Sequence, residues 1–454
     1  MNGSRPLRRG RLSGDLLVPG SKSITNRALV AAACADGESV LLNPLEASDT
    51  RVLASVLELL GTKIFFETGS WRVRGPLRSR GDSAPELVID VGDAGTPARF
   101  LSALLSAIPG RYVLDGTPRL RERPMGPLFE AIRNLGGDLT CLAREGFLPA
   151  RIRGGALGGG RVRIRGDVSS QFLSALMLVS PLVPGGIELD VDGPLASASY
   201  LALTRRVLEG FGASAGGGYR PARYRVPGDD SAACFPIAGA LVSGGRVTLR
   251  GLARESEQPD AAFRSWGTSA GGTLVWESSG EGDDVLTVSG ALLGAQALLP
   301  VIVDVDAAPD AALPLAALVA FTGGTSRLTG ALRLREKESD RLAAALDLLA
   351  RAGALAREEQ DASGPVLVID GRMGSPRAAE FAAHGDHRVA MSAAVLALSL
   401  PEGSTLDHPE SVAKSWPGFW GAWDALLEEG RGSAEREEAH RRESALGERR
   451  RDRA

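Results

Sequence analysis

The residues best equipped for chemistry sit where apolar runs begin. Three such starts read Pro19-Gly20-Ser21-Lys22-Ser23, Gly92-Asp93-Ala94-Gly95-Thr96 and Gly166-Asp167-Val168-Ser169-Ser170-Gln171. Three more read Gly228-Asp229-Asp230-Ser231, Ala308-Pro309-Asp310 and Gly385-Asp386-His387-Arg388. Ser, Thr and Asp at these places are ordinary helix caps, because a side-chain oxygen satisfies a free amide of the first turn. Lys22, Gln171, His387 and Arg388 need another reason. A cation at a helix N-terminus opposes the helix dipole unless an anion lies between them. Free amides joined by Lys or Arg make a phosphate site. Two Arg-rich stretches point the same way, Arg119-Leu120-Arg121-Glu122-Arg123-Pro124 and Arg333-Leu334-Arg335-Glu336-Lys337-Glu338-Ser339-Asp340-Arg341. Alone, each reads as a solvated helix start with weak surface ion pairs. Of 52 Lys and Arg, only Lys22, Lys63, Lys337 and Lys414 are Lys. Where Arg fills nearly every basic position, a retained Lys points to a compact charge whose pKa can be tuned, which a guanidinium cannot supply.

These residues recur because the elements around them recur. An apolar helix ends in a Gly turn; a strand, a polar loop, a second helix and further strand follow. Counted from Gly37, Gly110, Gly186, Gly245, Gly324 and Gly403, the intervals are 73, 76, 59, 79 and 79 residues. Second helices close on Gly61, Gly136 and Gly353, placed as C-caps. The period exceeds that of solenoid repeats and predicts six compact α/β modules. The two Arg-rich stretches then open the second helices of the second and fifth modules. Six modules predict two lobes of three: residues 18–225 form one, and residues 1–17 with 226–430 form the other. The strand around Leu12–Val18 crosses to join the latter. Residues 431–454, rich in Arg and Glu, read as a disordered charged tail.

Composition excludes several classes of function. A net charge of −3 argues against a dedicated nucleic-acid binder, and 5% aromatics leave few stacking platforms. Cys34, Cys141 and Cys234 lie far apart without metal-ligand spacing, which fits reduced thiols in the cytoplasm. Four Arg near the N-terminus precede no apolar stretch of a signal peptide, and no run of about 18 apolar residues reads as a membrane span. The expected protein is a cytoplasmic monomer that works on small anions.

The ordered set of motifs resembles the enolpyruvyl transferases, and among them the 5-enolpyruvylshikimate-3-phosphate synthases. The resemblance rests on Pro19-Gly20-Ser21-Lys22-Ser23 with Asn26-Arg27, Gly95-Thr96, Glu122-Arg123-Pro124 and Ser169-Ser170-Gln171-Phe172-Leu173. It continues through Pro309-Asp310, Lys337-Glu338-Ser339-Asp340-Arg341, Asp386-His387-Arg388, and Lys414 ahead of Pro417. The resemblance implies an α/β (α+β) fold of two lobes, each of three βαβαββ-type repeats about a pseudo-threefold axis. It implies transfer of the enolpyruvyl group of phosphoenolpyruvate to the 5-hydroxyl of shikimate 3-phosphate, a step of chorismate and aromatic amino acid biosynthesis, with no cofactor and no metal.

By the same resemblance, shikimate 3-phosphate is held by Lys22, Ser23, Arg27, Ser169, Ser170, Gln171, Ser197, Tyr200, Asp310 and Lys337. Phosphoenolpyruvate lies against Lys22, Gly95, Arg123, Gln171, Arg341, Arg388 and Lys414. Glu338 exchanges the methylene proton, Asp310 serves the attacking hydroxyl, Lys22 stabilises charge, and His387 supports one of these groups. The charges agree: each phosphate ester carries roughly −1.5 to −2 at neutral pH, so several cations are required.

Three positions depart from the family pattern. Asp93 stands where Asn is frequent, Arg333 where Asn is frequent, and Phe100 where Pro often follows Arg99. The nearest alternative is the related transferase acting on UDP-N-acetylglucosamine, which carries a Cys in the loop where this chain has Arg121-Glu122-Arg123-Pro124. A catalytically silent anion-binding relative is a second alternative.

Overall fold

The computed structural model describes residues 3–81, 83–166, 169–193, 198–278, 284–290, 298–362, 364–371 and 374–432. The chain forms two compact units. The first comprises Met1–Val18, Asp230–Arg254 and Asp260–Ala454, the second Pro19–Asp229 and Glu255–Pro259. Each has its own apolar core, around Phe235, Leu315 and Leu396 in the first and around Leu29, Leu104 and Leu176 in the second.

One four-stranded pattern is used four times: a parallel pair extended by two antiparallel strands. In the second unit Arg223–Arg225 runs parallel to Glu38–Leu42, followed across the sheet by Ser70–Arg74 and Lys63–Glu67. Leu87–Asp90 likewise pairs with Gly110–Asp115, then Ala150–Gly154 and Asp138–Cys141. The first unit repeats the order with Gly14–Leu17, Arg246–Arg250, Asp284–Ser289 and Thr273–Ser278. It repeats it again with Ile302–Asp304, Thr325–Thr329, Gly364–Asp370 and Leu355–Asp361. Parallel neighbours need a crossover, and an apolar helix supplies it between Leu87–Asp90 and Gly110–Asp115 and between Ile302–Asp304 and Thr325–Thr329. Two strands are exchanged along the chain. Gly14–Leu17 precedes the second unit in sequence yet pairs in the first, and Arg223–Arg225 closes a sheet begun nearly two hundred residues earlier.

The third and sixth modules are abbreviated. Among the described residues Gly160–Arg165 pairs in parallel with Ile187–Asp192 alone, because after the Ala198–Gly210 helix the chain is drawn into the first module's sheet. Glu380–Phe381 and Thr405–Leu406 are joined by Arg5–Pro6, and the chain continues into a helix over 419–432. Of the expected charged tail, residues 431–432 end that helix and residues 433–454 lie outside the described residues.

The helices that carry the motifs form the centre of each unit. Lys22–Cys34, Gly95–Ala107 and Ser170–Val179 pack on one another in the second unit, as do Asp230–Ser243, Ala312–Val319 and His387–Ala397 in the first. Helices apolar on all sides must be buried; every residue of Ala312–Val319 is. The second helices lie outside these and show one apolar stripe, as in Arg341–Ala352, which stops at Gly353 with a left-handed φ of 82°. Side chains at the starts of the central helices are therefore set on rigid supports. Among the described residues no helix is long and apolar enough to cross a membrane.

Candidate active site

In the second unit, Lys22 opens its helix without the expected cap. The Ser21 hydroxyl makes no cap bond; the Lys22 amide donates instead to the carboxylate of Asp229 at 3.0 Å. The Lys22 ammonium lies 3.4 Å from Asp49, a buried carboxylate in the first turn of the Ser48–Leu59 helix. One turn on, Arg27 is only 1% exposed and is held by neutral groups: Thr204 Oγ1 at 2.7 Å, the Ser23 carbonyl at 2.8 Å and Ser174 Oγ at 2.9 Å. Its guanidinium carbon stands 5.1 Å from the Phe100 ring centre and 5.7 Å from that of Tyr200. Phe100 thus supplies a π-face to a buried cation. Burial lowers the Arg27 pKa to about 10, so it stays charged at neutral pH.

The other two helix starts of this unit differ in kind. Ser169 caps the Ser170–Val179 helix by accepting from the Gln171 amide at 3.3 Å, and Ser170 is buried. The buried Oε1 of Gln171 has no hydrogen-bond partner among the described residues. Ser197 lies outside the described residues. At the Gly95–Ala107 helix, Arg123 approaches so closely that a Cβ on Gly95 would fall 2.5 Å from Arg123 Nη1. Any larger residue at 95 would make the Arg123 and Arg99 guanidinium ends shift. Arg123 is itself buried, with no hydrogen-bond partner for Nε among the described residues.

In the first unit, charged side chains form one connected network. Asp310, at the start of the Ala312–Val319 helix, accepts from Arg341 Nη1 at 2.7 Å and Arg388 Nη2 at 3.0 Å, with Lys337 Nζ at 3.4 Å. Arg341 is 1% exposed and joins three carboxylates. Its Nε donates to Asp386 Oδ2 at 2.8 Å and its Nη2 to Glu338 Oε2 at 2.7 Å, besides the bond to Asp310. Asp386 also caps its helix through the Arg388 amide at 2.9 Å and accepts from Ser339 Oγ at 3.1 Å. Lys414 Nζ stands 4.0 Å from Glu338 Oε1, and the buried His387 ring has Nδ1 3.6 Å from Asp386.

Burial alone would raise the Asp310 carboxyl, but Arg388, Lys337 and Arg341 outweigh it and hold its pKa well below the carboxylate range. Burial likewise opposes the ionisation of Asp386, which Arg341 and His387 overcome. Burial works against the charge of Arg341, yet Asp386, Glu338 and Asp310 lift its pKa well above the usual value. Four cations, Lys337, Arg341, Arg388 and Lys414, meet three carboxylates, Asp310, Glu338 and Asp386. Among these described groups the cations outnumber the carboxylates by one before His387 is counted. Several partly buried cations gathered at one helix start suit a bound anion.

Of the residues expected from sequence, the structure gathers Asp310, Lys337, Glu338, Arg341, His387, Arg388 and Lys414 in the first unit's network. Lys22, Ser23, Arg27, Gly95, Arg123, Ser169, Ser170, Gln171 and Tyr200 lie in the second unit, at or beside its helix starts. Arg333, one of the departures, is committed to Asp306, with Nε 2.7 Å from Oδ1 and Nη2 2.7 Å from Oδ2. Sequence reasoning missed Asp386 as the clamp on Arg341, and Asp49 and Asp229 around Lys22. Their partners are remote in sequence; the local signal was an Asp at or near a helix start.

The family model for EPSP synthase (3-phosphoshikimate 1-carboxyvinyltransferase) matches residues 7–423. A 3-phosphoshikimate 1-carboxyvinyltransferase of Methanoculleus marisnigri is 38% identical over 438 residues, covering 93% of this chain and 98% of the relative. One of Sulfurovum sp. is 35% identical over 433 residues, covering 91% and 97%. Among solved structures, the EPSP synthase of Acinetobacter baumannii superposes with a TM-score of 0.74 at 25% identity, covering 93% of this chain and 98% of that one.

Proposed function

Because the chain belongs to the EPSP synthase family, we propose that it moves the enolpyruvyl group of phosphoenolpyruvate onto the 5-hydroxyl of shikimate 3-phosphate, releasing phosphate, in aromatic amino acid biosynthesis. The observation that carries this reading is the convergence of Lys337, Arg341 and Arg388 on the one carboxylate of Asp310. The reaction needs a proton placed on the methylene carbon while the hydroxyl oxygen bonds to the neighbouring carbon. The tetrahedral adduct then expels phosphate and loses a methyl proton, restoring the double bond.

Each step has a group suited to it. Glu338 delivers and removes the proton at carbon. Asp310 takes the hydroxyl proton, and its surroundings bear on when it can do so. A carboxylate held low by three cations is a poor base. An arriving phosphate or carboxylate draws Arg388 and Lys337 onto itself, and the Asp310 pKa then rises toward a useful value. Substrate binding thereby switches on the base. Arg341 is the fixed centre, Asp386 holds it, and His387 acts through Asp386. Lys22, Arg123, Gln171 and Lys414 bind phosphoenolpyruvate with Gly95, Arg341 and Arg388. Ser23, Arg27, Ser169, Ser170, Ser197 and Tyr200 bind shikimate 3-phosphate with Lys22, Gln171, Asp310 and Lys337.

Phosphate release with each acceptor tests the reading. Turnover is expected with shikimate 3-phosphate and not with UDP-N-acetylglucosamine. Turnover with the nucleotide sugar alone would reassign the acceptor, and binding of both substrates without phosphate release would make the chain a silent relative.

A further inference from the structure

Asp93 is a carboxylate beside the Gly95 turn to which the roles above give no work. Its Oδ1 accepts a hydrogen bond from Thr117 Oγ1 at 3.0 Å. The same hydroxyl accepts from the Leu120 amide at 3.3 Å and so caps the Pro118–Arg121 helix. Backbone bonds join the same two segments: the Thr117 amide donates to the Gly92 carbonyl at 2.9 Å, and the Val91 amide to the Asp115 carbonyl at 3.0 Å. They are thus laced together just ahead of Arg123, whose amide closes on the Leu120 carbonyl at 3.1 Å. The Arg123 guanidinium lies against Gly95, so close that a Cβ added there would fall 2.5 Å from its Nη1. Its buried Nε finds no acceptor among the described residues. The backbone bonds of the segment that carries Arg123 help to set its place.

We propose that Asp93 and Thr117 are positioning residues, a latch that fixes the Arg123 segment to the start of the Gly95–Ala107 helix so that guanidinium and helix amides meet one anion. The latch rests on the reading of Arg123 and Gly95 as ligands of phosphoenolpyruvate. It also accounts for the departure at position 93. A threonine hydroxyl can donate one bond while accepting another, and a carboxylate partner makes the donated bond charge-assisted. Asp at 93 therefore suits Thr at 117.

The test is a double-mutant cycle on the full chain, with KM for phosphoenolpyruvate measured at saturating shikimate 3-phosphate. Thr117→Val is made with Arg123 intact and with Arg123→Ala. It is expected to raise KM about tenfold with Arg123 present, the scale of one lost hydrogen bond to a charged group. The rise should be less than about twofold in Arg123→Ala, since linked residues are not additive. kcat should hold within about threefold, as for binding shared by ground and transition states. Thr117→Ser, which keeps the hydroxyl, should restore KM. Asp93→Ala should repeat the Thr117→Val pattern and serves if Thr117→Val melts early. Equal KM changes in both Arg123 backgrounds, or none in a folded variant, would overturn the latch alone. An unchanged KM for Arg123→Ala itself would overturn the ligand reading and the latch together.

Discussion

Lys22 and Glu338 show how single side chains are tied to their tasks. The Lys22 ammonium fits beside a buried Asp49 at 3.4 Å and is 13% exposed. A guanidinium is wider and planar, so Lys22→Arg must either lose that carboxylate or withdraw from the ligand. We expect kcat/KM to fall roughly 10²-fold or more; near-normal turnover would remove Lys22 from the chemistry. Glu338 is wired differently, with Oε2 on Arg341 and Oε1 toward Lys414. Glu338→Gln keeps an oxygen for Arg341 but cannot carry the proton. Substrate KM values should stay within about threefold while exchange of the methylene hydrogens with solvent slows about 10²-fold. Exchange at the original rate would place the proton elsewhere. Arg341, by contrast, has its guanidinium spread over three carboxylates, and its contribution is to hold the others still.

At the scale of elements, the helix starts were legible because capping and dipole rules act within a few residues. Pro309-Asp310 and Asp386-His387-Arg388 mark the beginnings of buried helices, and the Gly turns mark the strands that follow. What the sequence hid is long-range. Asp229 rather than Ser21 caps Lys22, 207 residues away, and Asp386 reaches Arg341 across 45 residues. The short sheets of the third and sixth modules were hidden for the same reason, since strand exchange depends on where the chain returns. The Asp386 clamp makes an element-scale prediction. Asp386→Asn leaves Arg341 with one charge partner fewer in a buried setting and should cost about 3 kcal/mol at pH 7. An Asp whose folded pKa is depressed contributes stability that is complete above its unfolded value, about 3.9. That contribution is lost as pH falls through the folded value. The gap between unaltered protein and Asp386→Asn, followed by urea midpoints, should therefore be constant above about pH 5 and shrink below about pH 4. A gap that grew on acidification would contradict an ionised Asp386.

At the scale of the molecule, a net charge of −3 coexists with three cations converging on Asp310, so the proposed anion binding is a matter of placement rather than of total charge. Two separate cores further imply that damage can be confined to one of them. The tryptophans make this measurable. Trp71 is buried in the second unit, whereas Trp266, Trp276, Trp416, Trp420 and Trp423 all belong to the first. Fluorescence therefore follows chiefly the first unit, and far-ultraviolet circular dichroism sums both. Asp386→Asn, a first-unit change, should lower the fluorescence transition by roughly 5–10 °C. It should lower the dichroism transition by less, because the helices Lys22–Cys34, Gly95–Ala107 and Ser170–Val179 draw on a core that the substitution does not touch. Equal displacement of the two signals would mean that the cores melt as one.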